Sequence, residues 1–415
     1  MILNRVTKLA HKDILWLIIL SLSFFTLLLP ISSYVAALRY IQDEWSLNNF
    51  QAGVVYSAYL AGYLISALFI IPLTDRVGPK PVFLASAILS IITHILFPII
   101  TENMIIAIVI RGICGVGLVG MYMPGIRIIS ERFDPKYTGT STGIFVTAQY
   151  AAHSISMALT GVLLTTLEWR QAYLVLSLIS IIGLPMLYLL LRSHSPTKSH
   201  SETPGKLDLS VLKIPQVKYF ILGYSLHAFQ LYSVRMGLPI LLGSILINQG
   251  INNGEAIGST VAGIALTIGA LGPVMGGAIS DKWGRLTSAI RIFAISGICS
   301  LLIGWAGGFP WPLISVILIV YGWSTAADSA IYTSGILDST PKDRIGSALA
   351  VQASLGLLGA VLGPITFGTI LDISQESYKW VIGFSSISLI AIIAILALQR
   401  LKYDLVEKDK MTRNI

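Results

Sequence analysis

Runs of about 20 apolar residues, nearly free of charge, follow one another along almost the whole chain, and they limit its fold more than any other feature. That length of helix crosses a hydrocarbon layer ~30 Å thick. A backbone inside such a layer must satisfy its own N–H and C=O groups, which only helices and closed barrels do. Barrel strands alternate apolar and polar residues with a period of two, and this alternation is missing. The chain therefore reads as an all-α integral membrane protein. Its composition agrees: 54% of residues are hydrophobic and 12% charged, about half the charge of a soluble domain.

Twelve spans are expected, six between positions 16 and 191 and six between 219 and 398. The first run, after Arg5, Lys8 and Lys12, is too long for the core of a signal peptide and counts as a span. The layout is an N-terminal six-helix bundle (1–192), a polar cytoplasmic linker (193–218), a C-terminal six-helix bundle (219–399) and a cytoplasmic tail (400–415).

The net charge of +8 would suggest nucleic acid in a soluble protein, but here its placement sets topology and no nucleic-acid partner is expected. If both termini are cytoplasmic, only Arg39, Arg111, Arg170, Arg235 and Lys379 among the 28 Lys and Arg residues fall outside cytoplasmic segments or helix ends. That bias orients a membrane protein and fits the plasma (inner) membrane. Cys114 and Cys299 each sit in an apolar run, so a disulfide framework is not expected.

A short polar stretch appears twice. Asp75-Arg76-x-Gly78 and Asp281-Lys282-x-Gly284, the latter followed by Arg285, lie 206 positions apart, about half the chain. Glu131 to Gly139 matches Asp338 to Gly346 at an offset of 207, and Gly161-Val-Leu-Leu matches Gly368-Thr-Ile-Leu at the same offset. A tandem duplication is the simplest explanation.

Two six-span halves, a central linker and the Asp-[Arg/Lys]-x-Gly loop after the second span of each half resemble the major facilitator superfamily. A further motif, Arg111-Gly-Ile-Cys-Gly115, stands on the fourth span as it does in that family. The family's loop begins with glycine four residues before the acid. Gly277 supplies it in the second half, whereas the first half has Ile71, so Asp281 is expected to be the more sensitive acid. The resemblance implies two pseudo-twofold-related bundles that rock about a midplane cavity. The fifth span lacks the Gly-Pro-x-x-Gly-Gly-like stretch of the family's drug/proton antiporters, having Ala151 to Gly161 instead.

The loop acids and their neighbours are gating candidates: Asp75, Arg76, Gly78, Asp281, Lys282, Gly284, Arg285, Glu131 and Asp338. An acid facing a helix N-terminus of the other half would close the inner gate; the alternative is a solvated loop with a tight turn. Within the membrane, ionisable residues are costly and default to function. Arg111 and Arg235 are candidates to bind solute, with Tyr34, Tyr59, Gln149 and Gln230 beside them; for the tyrosines the alternative is helix packing. Asp328 is the clearest intramembrane acid and, with His227, the candidate for proton coupling; its alternative is a hydrogen-bonded packing residue. The histidines show no metal-ligand spacing, and neither a metal nor another cofactor is expected.

The chain is expected to be a monomeric secondary transporter, not an enzyme. Because intramembrane charge favours arginine, its partners are a small anionic or zwitterionic solute, protons moved in symport, and the lipid bilayer. A proton-coupled exporter of drugs or metabolites, and a transporter-like sensor that does not translocate, are the alternatives.

Overall fold

The computed structural model describes residues 11–192 and 208–413. These residues are helical with no strand among them. In the first half the helices are α1 (His11–Leu27), α2 (Ser33–Ala36), α3 (Leu38–Trp45), α4 (Asn49–Val77), α5 (Pro79–Ile100), α6 (Met104–Arg132), α7 (Pro135–Leu163), α8 (Trp169–Ser180) and α9 (Gly183–Arg192). The second half has α10 (Pro215–Asn248), α11 (Gly254–Ile268), α12 (Gly272–Trp283), α13 (Arg285–Ile303), α14 (Trp311–Ala327), α15 (Ser329–Ser339), α16 (Ile345–Ile373) and α17 (Lys379–Arg413).

Ten of the twelve spans are helical stretches long and apolar enough to cross a membrane. The other two explain each other. The first span breaks between α1 and α2, where Pro30 has no N–H to give and its neighbours form turns. The fifth span, α7, carries hydroxyls that serve this break: Ser156 Oγ accepts the Ser32 N–H at 3.0 Å, and Thr160 Oγ1 lies 2.8 Å from Ser33 Oγ. Broken backbone survives at membrane depth only when protein groups satisfy it in this way.

Of the expected linker, 193–207 lie outside the described residues. Asp208 then caps a short 3-10 turn, accepting the Ser210 N–H at 2.9 Å, and α10 starts at Pro215. α17 continues past the expected span end and into the tail as far as Arg413.

Contacts divide the chain into two compact units. The first takes in the described residues of 1–47, 54–202 and 238–267, and the second those of 48–53, 203–237 and 268–415. In the first unit, α1 packs on α7 and α9, and α5 lies along α6. Phe24 stacks on Phe145 with ring centroids 4.3 Å apart and meets Phe83 edge-on. At one end of this unit Arg170, on α8, clasps α3 and the end of α5. It donates to Glu44 Oε1 at 2.6 Å and to the carbonyls of Pro98 and Thr101, which end α5. Burial pushes the Glu44 carboxyl up, but hydrogen bonds from Arg170 and Trp169 and the Arg170 charge outweigh it, holding the group below its ordinary value.

In the second unit α13 packs against α12, α14 and α17. Val217, Phe220, Ile292, Ile331, Tyr332 and Leu398 belong to one buried core. Large apolar side chains such as Phe69, Ile105 and Leu396 are exposed. Such surfaces are aberrant in water and ordinary against lipid.

Candidate functional site

The duplicated loops build the same device twice. Gly78 (φ 86°, ψ 158°) and Gly284 (φ 81°, ψ 152°) each turn the chain from one helix into the next. Only glycine occupies that region without strain, which is why the motif ends on it. In the first unit Arg127 Nη1 lies 2.5 Å from Asp75 Oδ1 and 3.2 Å from Thr74 Oγ1, while its Nε is 3.1 Å from Glu131 Oε1. In the second, Arg285 Nη1 lies 2.7 Å from Asp281 Oδ1 and 2.6 Å from Ser280 Oγ, and its Nε is 3.0 Å from Asp338 Oδ2.

Each copy is thus a clip in which one guanidinium joins a hydroxyl, the loop acid and the acid ending the fourth span of its half. Arg76 and Lys282, the bases beside the loop acids, are exposed. Arg127, absent from the residues expected from sequence, is the pairing cation of the first copy. Its signal was present, since Glu131 lies four residues on and so shares its helix face.

Inside the first unit the Arg111 motif works through close packing. A Cβ added at Gly115 would lie 2.0 Å from Tyr59 O, and one at Gly62 would lie 2.0 Å from Gly112 O. Without side chains there, α6 rests directly on α4 and Arg111 Nε reaches Val55 O at 3.1 Å. The guanidinium carbon then sits 4.5 Å from the Tyr34 ring centroid, 5.4 Å from Tyr59 and 5.7 Å from Tyr56. Arg111 is 2% exposed. Its Nη2 is buried without a hydrogen-bond partner. A desolvated guanidinium with one unsatisfied donor, wrapped in aromatic rings, has the chemistry to pair with an oxyanion.

Behind this cage, Cys114 Sγ lies 3.2 Å from His94 Nε2, and His94 Nδ1 lies 3.0 Å from Tyr173 Oη. Gln149, half-buried on α7, accepts from His153 Nδ1 through its carbonyl at 2.9 Å, and His153 Nε2 stands 3.5 Å from Tyr59 Oη.

The second unit holds the other candidates. Asp328 is fully buried at the junction of α14 and α15, with Oδ1 2.8 Å from His227 Nδ1 on α10. The pair is close without being aligned as a hydrogen bond, and the buried Tyr332 hydroxyl faces the Asp328 carboxyl from one turn along α15. Eight residues along α10, Arg235 is buried and lies over the Tyr232 ring at 5.1 Å. Gln230 on the same helix donates to Ser300 Oγ at 3.2 Å, and Ser300 in turn bonds Tyr321, which ties α10 to α13 and α14.

The structure therefore brings Arg111, Tyr34 and Tyr59 together and, separately, His227 and Asp328. The repeat does not duplicate either group. At an offset of 207, Arg111 corresponds to Leu318, Tyr34 to Leu241, Tyr59 to Leu266 and Asp328 to Met121. The packing beneath is repeated, since a Cβ at Gly269 would lie 2.2 Å from Gly322 O.

Comparison with known proteins agrees with this architecture. The profile of the Major Facilitator Superfamily matches residues 20–364 and 244–413. The chain is 26% identical over 375 residues to a gentisate transporter of Corynebacterium glutamicum, covering 87% of this chain and 82% of that one. It is 27% identical over 347 residues to a 3-(3-hydroxy-phenyl)propionate transporter of Escherichia coli, covering 80% of each. The crystal structure of a bacterial homologue of the human lysosomal transporter Spinster superposes with a TM-score of 0.70 at 16% identity, over 92% of this chain and 96% of that one. With its duplicated six-span halves and a loop clip in each, this membrane transport protein belongs to the Major Facilitator Superfamily.

Proposed function

We propose that the protein carries a small organic anion, an aromatic or unsaturated carboxylate, across the inner membrane by alternating access and in symport with protons. The observation that carries this reading is the buried Arg111 Nη2 without a partner inside a cage of tyrosine rings. A carboxylate supplies the missing acceptor, and a planar conjugated body suits the aromatic walls. Relatives named for gentisate and 3-(3-hydroxy-phenyl)propionate transport support the same class. Both are aromatic carboxylates.

Asp328 is the proposed proton carrier. Its carboxyl is fully buried against the His227 imidazole and the Tyr332 hydroxyl, and proton exchange at this pair is the coupling step in this reading. His227 shares α10 with Arg235, which links the proton site to a second cation that faces solute in this reading. The test is uptake of a labelled hydroxybenzoate into proteoliposomes, with and without an imposed pH gradient. Accumulation should follow the gradient in the parent. Asp328→Asn should exchange solute without accumulating it, and Arg111→Gln should do neither. Equal accumulation with and without the gradient rejects symport, and transport of cations in preference to carboxylates rejects the substrate class.

A further inference from the structure

The first turn of a helix leaves N–H groups that its own carbonyls cannot reach. At the start of α4 these groups are met by Asp372, from the last turn of α16, 323 residues later in the chain. Asp372 Oδ1 accepts the Asn49 N–H at 3.0 Å and Asn49 Nδ2 at 2.7 Å, and Oδ2 accepts the Phe50 N–H at 2.8 Å. All three residues belong to the second unit. Below the cap the helices touch through backbone. A Cβ at Gly368 would lie 2.2 Å from Asn49 O, and one at Gly53 would lie 2.5 Å from Pro364 O.

The repeat makes this crossing a second time, inside the first unit. Gly161 of α7, equivalent to Gly368, sits with its missing Cβ 2.7 Å from the carbonyl of Ala256 on α11, the equivalent of Asn49 at an offset of 207. There the position equivalent to Asp372 is Thr165, which offers only its carbonyl to Asn253 Nδ2 at 3.3 Å. Each crossing joins a helix of one sequence half to a helix of the other, at the end of α4 or α11 remote from the Asp-[Arg/Lys]-x-Gly loop. One of the two carries a charge.

We infer that Asp372 is a releasable latch on the face opposite the loop clips. A carboxylate that receives three hydrogen bonds, at the positive end of a helix dipole, holds α4 against α16. The two helices come from different halves, so they separate whenever that face opens, and the cap sets how often it does. This rests on alternating access and on neither the substrate class nor the proton coupling. The experiment reads opening without substrate.

Ala52, buried one turn into α4, is replaced by cysteine in a background where Cys114 and Cys299 are alanine. The protein is placed in nanodiscs, with both faces accessible, and the rate of labelling by a charged, hydrophilic maleimide is measured. Asp372→Ala should raise that rate about tenfold, the population shift expected when such a cap is lost. Asp372→Asn, which keeps one acceptor, should raise it less. Asn49→Ala removes only the side-chain donor and should also have the smaller effect, and it should add nothing on top of Asp372→Ala. If the alanine variant does not fold, Asp372→Asn makes the same comparison. A rate unchanged from the parent in the folded Asp372 variants overturns the latch, as does an Asn49→Ala effect that is fully additive.

Discussion

Arg127 and Arg285 make the same set of contacts from non-equivalent positions. Arg127 reaches back from the fourth span of the first half to the loop acid, whereas Arg285 reaches forward from the start of the ninth span to the acid ending the tenth. The surroundings differ as well. Asp75 and Glu131 side chains are 33% and 13% exposed, against 67% and 59% for Asp281 and Asp338. Exposed pairs are screened by solvent and contribute about 1 kcal/mol or less, so the first clip should hold more tightly. This reverses the order expected from Ile71. Asp75→Asn and Arg127→Gln should each slow uptake about threefold to tenfold, the shift from losing one or two charge-assisted hydrogen bonds. Asp281→Asn should do less, and Arg76→Gln and Lys282→Gln least, in initial-rate measurements at matched expression.

Arg111→Lys tests whether the cage needs a planar guanidinium or only a charge. Lysine cannot bond Val55 O and present a second donor in the same plane. The KM for hydroxybenzoate uptake should rise about 10- to 100-fold, the equivalent of one charge-assisted hydrogen bond. Tyr34→Phe, which keeps the ring, should leave KM close to the parent value, and Tyr34→Leu should raise it.

Glu44 gives a pH dependence with a defined sign. Its folded carboxyl is held below the ordinary value of 4.5. The stability it contributes is therefore present above that value and is lost as pH falls through the lower, folded one. Thermal unfolding followed from pH 7 down to pH 3 should show a declining midpoint. In Glu44→Gln that decline should be shallower, with a lower midpoint at neutral pH.

Two motif glycines should respond differently to alanine. At Gly115 a Cβ would meet the Tyr59 carbonyl at 2.0 Å, and two helix backbones cannot yield by that much. Gly115→Ala should give no folded protein. At Gly284 nothing lies within 4 Å, and the cost is the backbone conformation alone, about 1–3 kcal/mol. Gly284→Ala should fold with a lower thermal midpoint. Fluorescence size-exclusion chromatography separates the two outcomes.

The spans, the duplication and the clip acids were legible in the sequence because hydropathy and spacing are local properties. The interruption near Pro30 was legible for the same reason. Its remedy was not, since Ser156 lies 124 residues from Ser32 and only folding brings them together. The pairing of Arg127 with Glu131 was legible from their spacing of four, but its pairing with Asp75 depends on α6 lying on α4. Nothing in the sequence around Gln230 distinguishes a glutamine facing solute from one bonded to Ser300. Tyr332, four residues from Asp328 and one turn along, was recoverable from helical spacing and was missed.

The cage around Arg111 stands on a packing that both halves possess. Gly269 and Gly322, the equivalents of Gly62 and Gly115, make a close helix crossing of their own in the second half, with Leu318, Leu241 and Leu266 where the first half has Arg111, Tyr34 and Tyr59. For protein engineering, that crossing is a frame onto which an arginine and two tyrosines can be transplanted, to test whether the cage's packing is portable between halves.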